Sequence, residues 1–119
     1  MNLQVLVATM HQNDHSLLEK MNIQSDAIIG NQCNRNEIEE FNYNGNTIKY
    51  LSFPERGVGL NRNNALMRAT ADICLFADDD VRYVDNYKDI IIEAFEQNPK
   101  ADMIVLALRY FVWVNTLIS

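Results

Sequence analysis

Four short apolar runs, at positions 3–8, 27–29, 73–77 and 103–108, punctuate the chain, and none has the clean alternation of a strand with one wet face. Runs of this kind suit strands covered on both faces, as in a parallel sheet with helices on either side. The segments between them have helical spacing. Residues 16–21 place Leu17, Leu18 and Met21 on one face, behind the polar cluster His11, Gln12, Asn13 and Asp14 that supplies a cap. Residues 60–70 read as a helix with Leu66 and Ala69 inward. Tyr87, Ile90, Ile91, Ala94 and Phe95 repeat at helical spacing after Asp85, a plausible cap, and Asn98-Pro99 ends that helix. Asn44-Gly45, between Phe41, Tyr43 and Ile48, Tyr50, is a hairpin signal that makes 47–53 a strand closed by Pro54. Gly30 reads as the stop of the second strand, and the polar stretch 31–40 as a loop or short helix. The expected fold is a three-layer α/β/α domain with a mostly parallel sheet. No repeat, linker or low-complexity tract divides it, so residues 1–119 read as a single domain.

With 119 residues, 48% of them hydrophobic, the chain can bury one core. A net charge of -6 and the absence of a basic stripe exclude nucleic acid as a partner. An anionic ligand such as a nucleotide diphosphate would need a cation between it and the protein. Cys74, inside an apolar run, reads as a core residue and Cys33, in a polar stretch, as a surface one; two cysteines make no disulfide framework. The first ten residues have no basic region and read as a strand, not a signal peptide. Arg109 and Asn115 interrupt the apolar block 103–118, which falls short of a transmembrane segment and reads as a strand pair or core helix. A cytoplasmic location is therefore expected, with a peripheral place at the inner membrane face also open. Residues 110–118 would pack inside or form a homo-oligomer contact.

In such a sheet, ligands bind at the carboxyl ends of strands, where strand order reverses. The positions to weigh are therefore 9–11, 30–32 and 78–80. Asp78, Asp79 and Asp80 repel one another unless water or a cation relieves them. If the strand continues through them, Asp78 and Asp80 point the same way. Two converging carboxylates suit a hard ion, Mg2+ or Mn2+, with coordination positions left for phosphates. The competing reading is a solvated acidic turn. Gly57-Val58-Gly59 lacks the third glycine of a dinucleotide fingerprint and reads as a flexible loop over the ligand.

From Gly59 to Asp80 the chain reads GLNRNNALMRATADICLFADDD, which resembles the signature of family 2 glycosyltransferases of the GT-A fold. Arg62-Asn63 stands for the Arg-Asn pair that starts a helix, Ala69 for the alanine after it, and Asp78-Asp79-Asp80 for the Asp-x-Asp closing the strand. The resemblance implies that Asp80 binds the ion bridging the donor's diphosphate. It places Asp78 at the ribose and near the metal, and gives Asp79 a part at the donor sugar or the metal shell. Arg62 is implied beside the nucleotide, and Thr9 at its base or ribose. The implied reaction moves a sugar from a UDP- or GDP-sugar to a glycan or polysaccharide acceptor, with inversion.

The chain departs from the family at several places. After the first strand it reads Thr9-Met10-His11-Gln12-Asn13 in place of a Pro-x-Tyr-Asn-type stretch, and His11 either stacks on the base or hydrogen-bonds within the loop. Gly30-Asn31 stands where the family has an Asp that reads uracil. Asn31 can donate and accept, so base reading survives there, while Gly30 is taken as the turn. Ala65 and Ala71 replace glycines. An inverting transfer needs a base, which the family carries in a later segment. Asp85, as a cap, and Glu93, as an exposed helix residue, do not replace it. The base is expected beyond Ser119, so donor binding alone is one expectation for a chain of this length. A different class, a receiver-like signalling domain, would also use Mg2+ but needs an acidic pair after the first strand and a lysine after the last. Here Thr9-Met10-His11 and Arg109 stand there. A folded domain that binds nothing is the third possibility.

Overall fold

The computed structural model describes residues 1–99 and two later strands, Met103–Arg109 and Val112–Ile118. Along the chain run β1 (Leu3–Met10), α1 (Leu17–Lys20), β2 (Asp26–Gln32), β3 (Glu37–Tyr43), β4 (Asn46–Phe53), α2 (Val58–Met67), β5 (Ile73–Asp78), α3 (Tyr87–Gln97), β6 (Met103–Arg109) and β7 (Val112–Ile118). Five strands form one sheet in the order β3-β4-β2-β1-β5. All neighbours in it are parallel except β3 and β4, which form the antiparallel hairpin marked by Asn44-Gly45. Both turn residues have positive φ, 51° and 85°, as a two-residue hairpin turn requires.

Alternate side chains of the sheet feed two cores. Val5, Val7, Ile29, Ile48 and Tyr50 pack with Leu17 and Leu18 of α1, with Met21 just after it, and with Tyr83, Tyr87 and Ile91 in and before α3. On the opposite face Leu6, Ile28 and Leu51 meet Ala65 of α2. The three-layer arrangement with a mostly parallel sheet is thus present. No helix among the described residues is long and apolar enough to cross a membrane.

Several local expectations are corrected. Gly30 does not stop β2, which continues in register through Gly30, opposite Ala8 and Leu51, to Gln32. The glycine is needed for close approach instead: a Cβ there would lie 2.6 Å from Asn61 Oδ1. Of the polar stretch 31–40, residues 33–36 form the expected loop, but its ends belong to strands, β2 up to Gln32 and β3 from Glu37. As the outermost strand, β3 buries little: Ile38 is 60% exposed, and Phe41 and Tyr43 alone reach the larger core. Helix α2 is rotated from the expected face. Asn61 and Ala65, four residues apart, face the sheet, while Leu66 is 47% exposed and Ala69 only partly buried.

Asp85 does not cap α3. Its Oδ1 accepts bonds from Asn22 Nδ2 (2.8 Å) and Gln24 Nε2 (2.9 Å), and Asn86, with φ 62°, leads into the helix. Cys33 is buried, not superficial. Its N–H donates to Phe53 O, and its Sγ accepts the Arg35 N–H. In β5, Ile73 and Ala77 are buried but Phe76 is 51% exposed, because β5 is the outer strand of its sheet. Strands β6 and β7 pair with each other in a separate two-stranded sheet, so block 103–118 takes the strand-pair reading. Residues 110 and 111 lie outside the described residues, as does the side-chain packing on which the expected inside or homo-oligomer placement of 110–118 turns.

Candidate functional site

The chain steps from β1 to β2 to β4 on one side of the sheet, then passes through α2 to β5 on the other side of β1. Strand order therefore reverses at β1, which opens a crevice at its carboxyl end. A cleft of about 330 Å3 lies there, lined by Ala8, Thr9, Met10, Gln32, Asn61, Arg62, Asp78 and Asp79.

Two polar pairs span the cleft. Thr9, almost fully buried at the end of β1, donates from Oγ1 to Asp79 Oδ2 at 2.6 Å and accepts from Gln12 Nε2 at 3.1 Å. Arg62, in α2, reaches Asp78 Oδ1 at 2.8 Å. Both partners of this ion pair are roughly half exposed, so its net stabilisation is small and the pair can be exchanged for a ligand. Strand β5 ends at Asp78. The Val81 N–H turns back to Asp78 O at 3.4 Å, so Asp79 and Asp80 lie in a turn. The strand does not continue through them, and Asp79 rather than Asp80 shares the cleft with Asp78. Asp80 is exposed beside it. No three His, Cys, Asp or Glu side chains among the described residues are gathered to hold a metal.

Asn31 lies below the cleft, not in it. Fully buried, it accepts the Gln12 N–H at 3.0 Å and donates to Gln12 O at 3.0 Å and Ser52 Oγ at 3.1 Å. Its amide thus clasps the loop after β1. His11 is exposed on that loop, with φ 59° and its N–H bound to Gln32 O, and it does not line the cleft. Gln32, one of the strand-end positions weighed from the sequence, lines the cleft, whereas Gln12 and Asn61 are parts of the site that the sequence reading missed. Gln32 Oε1 accepts the Gly57 N–H at 3.0 Å, tying the loop before α2 to β2. Asn61 Nδ2 donates to Thr9 O at 3.1 Å and Gly30 O at 2.7 Å. The available signal for Asn61 was its spacing of four from Ala65 on a helix whose other large apolar residues face water.

Asp78, Asp79 and neighbouring Asp80 outweigh Arg62 by two negative charges, so a diphosphate there meets net repulsion that a cation would relieve. An exposed turn of hard oxygen donors fits Mg2+ or Mn2+, which take one or two carboxylates and leave other positions to water and phosphate.

A helix-flanked parallel sheet with its cleft at the strand-order reversal defines the class of α/β domains that bind ligands at strand carboxyl ends. Within that class the sequence matches "Glycosyl transferase family 2" over residues 15–117, and the chain belongs to that family. It is thus a glycosyltransferase of nucleotide-sugar donors. No curated protein and no solved structure matches it significantly. Nothing in the fold or the family match supports the receiver-like alternative.

Proposed function

We propose that the cleft at the end of β1 binds the nucleotide diphosphate of a UDP- or GDP-sugar, with Mg2+ or Mn2+ held by Asp80 and Asp78. When bound there, the metal would supply charge neutralisation for the leaving diphosphate. Arg62, now paired with Asp78, would pair with the donor's phosphates instead. Asp79, oriented by Thr9 and through it by Gln12, faces the donor's sugar portion. Thr9 meets the ribose from the end of β1, and His11, on the exposed loop held by Asn31, reaches the base from outside the cleft lining. The sugar goes to a glycan hydroxyl, and its deprotonation falls to a group outside this cleft, since Asp78 and Asp79 are committed to the donor.

One observation carries the reading: Thr9, Arg62, Asp78 and Asp79, from three separate elements, converge where strand order reverses. Thermal unfolding with UDP or GDP, with and without Mn2+, tests it. Nucleotide at 100 times its Kd adds ~2.7 kcal/mol of apparent stability. The shift is expected only when metal and nucleotide are both present, to vanish on chelation, and to be absent in Asp80→Ala. A full shift in Asp80→Ala, or one indifferent to metal, rejects the assignment.

A further inference from the structure

We propose that Asn61 is a positioning residue whose amide, seated over Gly30, sets the distance between α2, which carries Arg62, and the end of β1, which carries Thr9. The inference rests on the donor-site reading for its consequence but not for its geometry. Asn61 is only 8% exposed, and its Nδ2 bonds the carbonyls of Thr9 and Gly30, on two adjacent strands. Asparagine is a mediocre helix former, and a buried amide is costly unless its bonds are made. An apolar residue would pack the smaller core at less cost, as Ala65 does one turn later.

Residue 30 is shaped to the same purpose. A Cβ on Gly30 would meet Asn61 Oδ1 at 2.6 Å, Asn61 Cγ at 3.1 Å and Asn61 O at 3.1 Å. Gly30 has no positive φ, so its lack of a side chain serves this contact and not a turn. Asn61 adjoins Arg62, which pairs with Asp78, and grips the carbonyl of Thr9, whose hydroxyl pairs with Asp79. A shift of the amide therefore displaces both pairs across the cleft together.

The test compares wild type with Asn61→Ala, Gly30→Ala and the double variant, and uses Ile28→Val as a control in the same core with no link to the cleft. Calorimetry with Mn2+ and UDP or GDP gives Kd, and side-chain 15N NMR follows the Arg62 guanidinium without any nucleotide. Each single variant is expected to weaken nucleotide binding about tenfold, since small misplacements of binding groups are costly. Ile28→Val should leave Kd unchanged. The double variant should lose less than the product of the two, because the closest clash disappears with the amide. Asn61→Ser, which keeps one donor, serves if Asn61→Ala does not fold. A folded Asn61 variant with wild-type Kd overturns the proposal. If wild type binds neither nucleotide, the donor-site reading fails by itself. The NMR then decides: displaced Arg62 signals in the variant uphold the positioning role, and unchanged signals overturn it.

Discussion

At the scale of single residues, side-chain amides organise this site more than charges do. Asn31 makes three hydrogen bonds while fully buried, two of them to the backbone of Gln12. Each buried partner left unpaired costs ~1–3 kcal/mol. Asn31→Ala is therefore expected to lower the urea-unfolding free energy by at least ~2 kcal/mol; a loss under ~0.5 kcal/mol would contradict the clasp. Thr9, Asp78 and Asp79 could be picked out from the sequence because strand ends and charge runs are visible there, and Arg62 only through the resemblance of its motif. Gln32 stood among those strand ends, but Gln12 and Asn61 left no such mark, because the bonds of Gln12 to Thr9 and Met10 and of Asn61 to the carbonyls of Thr9 and Gly30 are set by the folded backbone. The position of Asp80 depended on where β5 stops, and no periodicity marks that point.

At the scale of elements, the strands and helices with continuous apolar faces could be read directly, while those shaped by neighbours could not. Strand β3 is polar because it is outermost, and Gly30 resembles a terminator because close packing and turning call for the same residue. The Asn44-Gly45 turn was readable, since its φ values demand those residue types. Gly45→Ala is expected to cost ~1–2 kcal/mol, the penalty for a left-handed L-residue, measured as a lower unfolding midpoint. Asp85 couples α3 to the segment before β2. The amides of Asn22 and Gln24 hold its carboxyl below the usual range. A lowered folded pKa means stabilisation that is present above the unfolded value of about 4 and is lost as pH falls through the folded one. Asp85→Asn should therefore have a shallower loss of Tm under acid than wild type. An unchanged acid limb would rule this linkage out.

Across the whole molecule, the larger core is built around tyrosines. Tyr83 and Tyr87 stack with ring centroids 4.4 Å apart, and Tyr50 of β4 belongs to the same core. Burial raises all three phenols, Tyr50 to about 12. The unfolded chain releases these protons from about pH 10, so stability is complete below that value and falls as pH rises towards about 12. Phenolate absorbance should thus rise in two stages, the second coinciding with loss of near-UV circular dichroism. A single stage complete before unfolding would contradict this burial. The Thr9–Asp79 bond joins residues 70 positions apart, and Arg62 reaches the cleft from a segment between them. A nascent chain can pair β1 with β2 and close the β3–β4 hairpin while still attached to the ribosome. The cleft itself is complete only once β5 has emerged and docked beside β1, so a site built there as proposed would arrive in one step of synthesis and not by degrees.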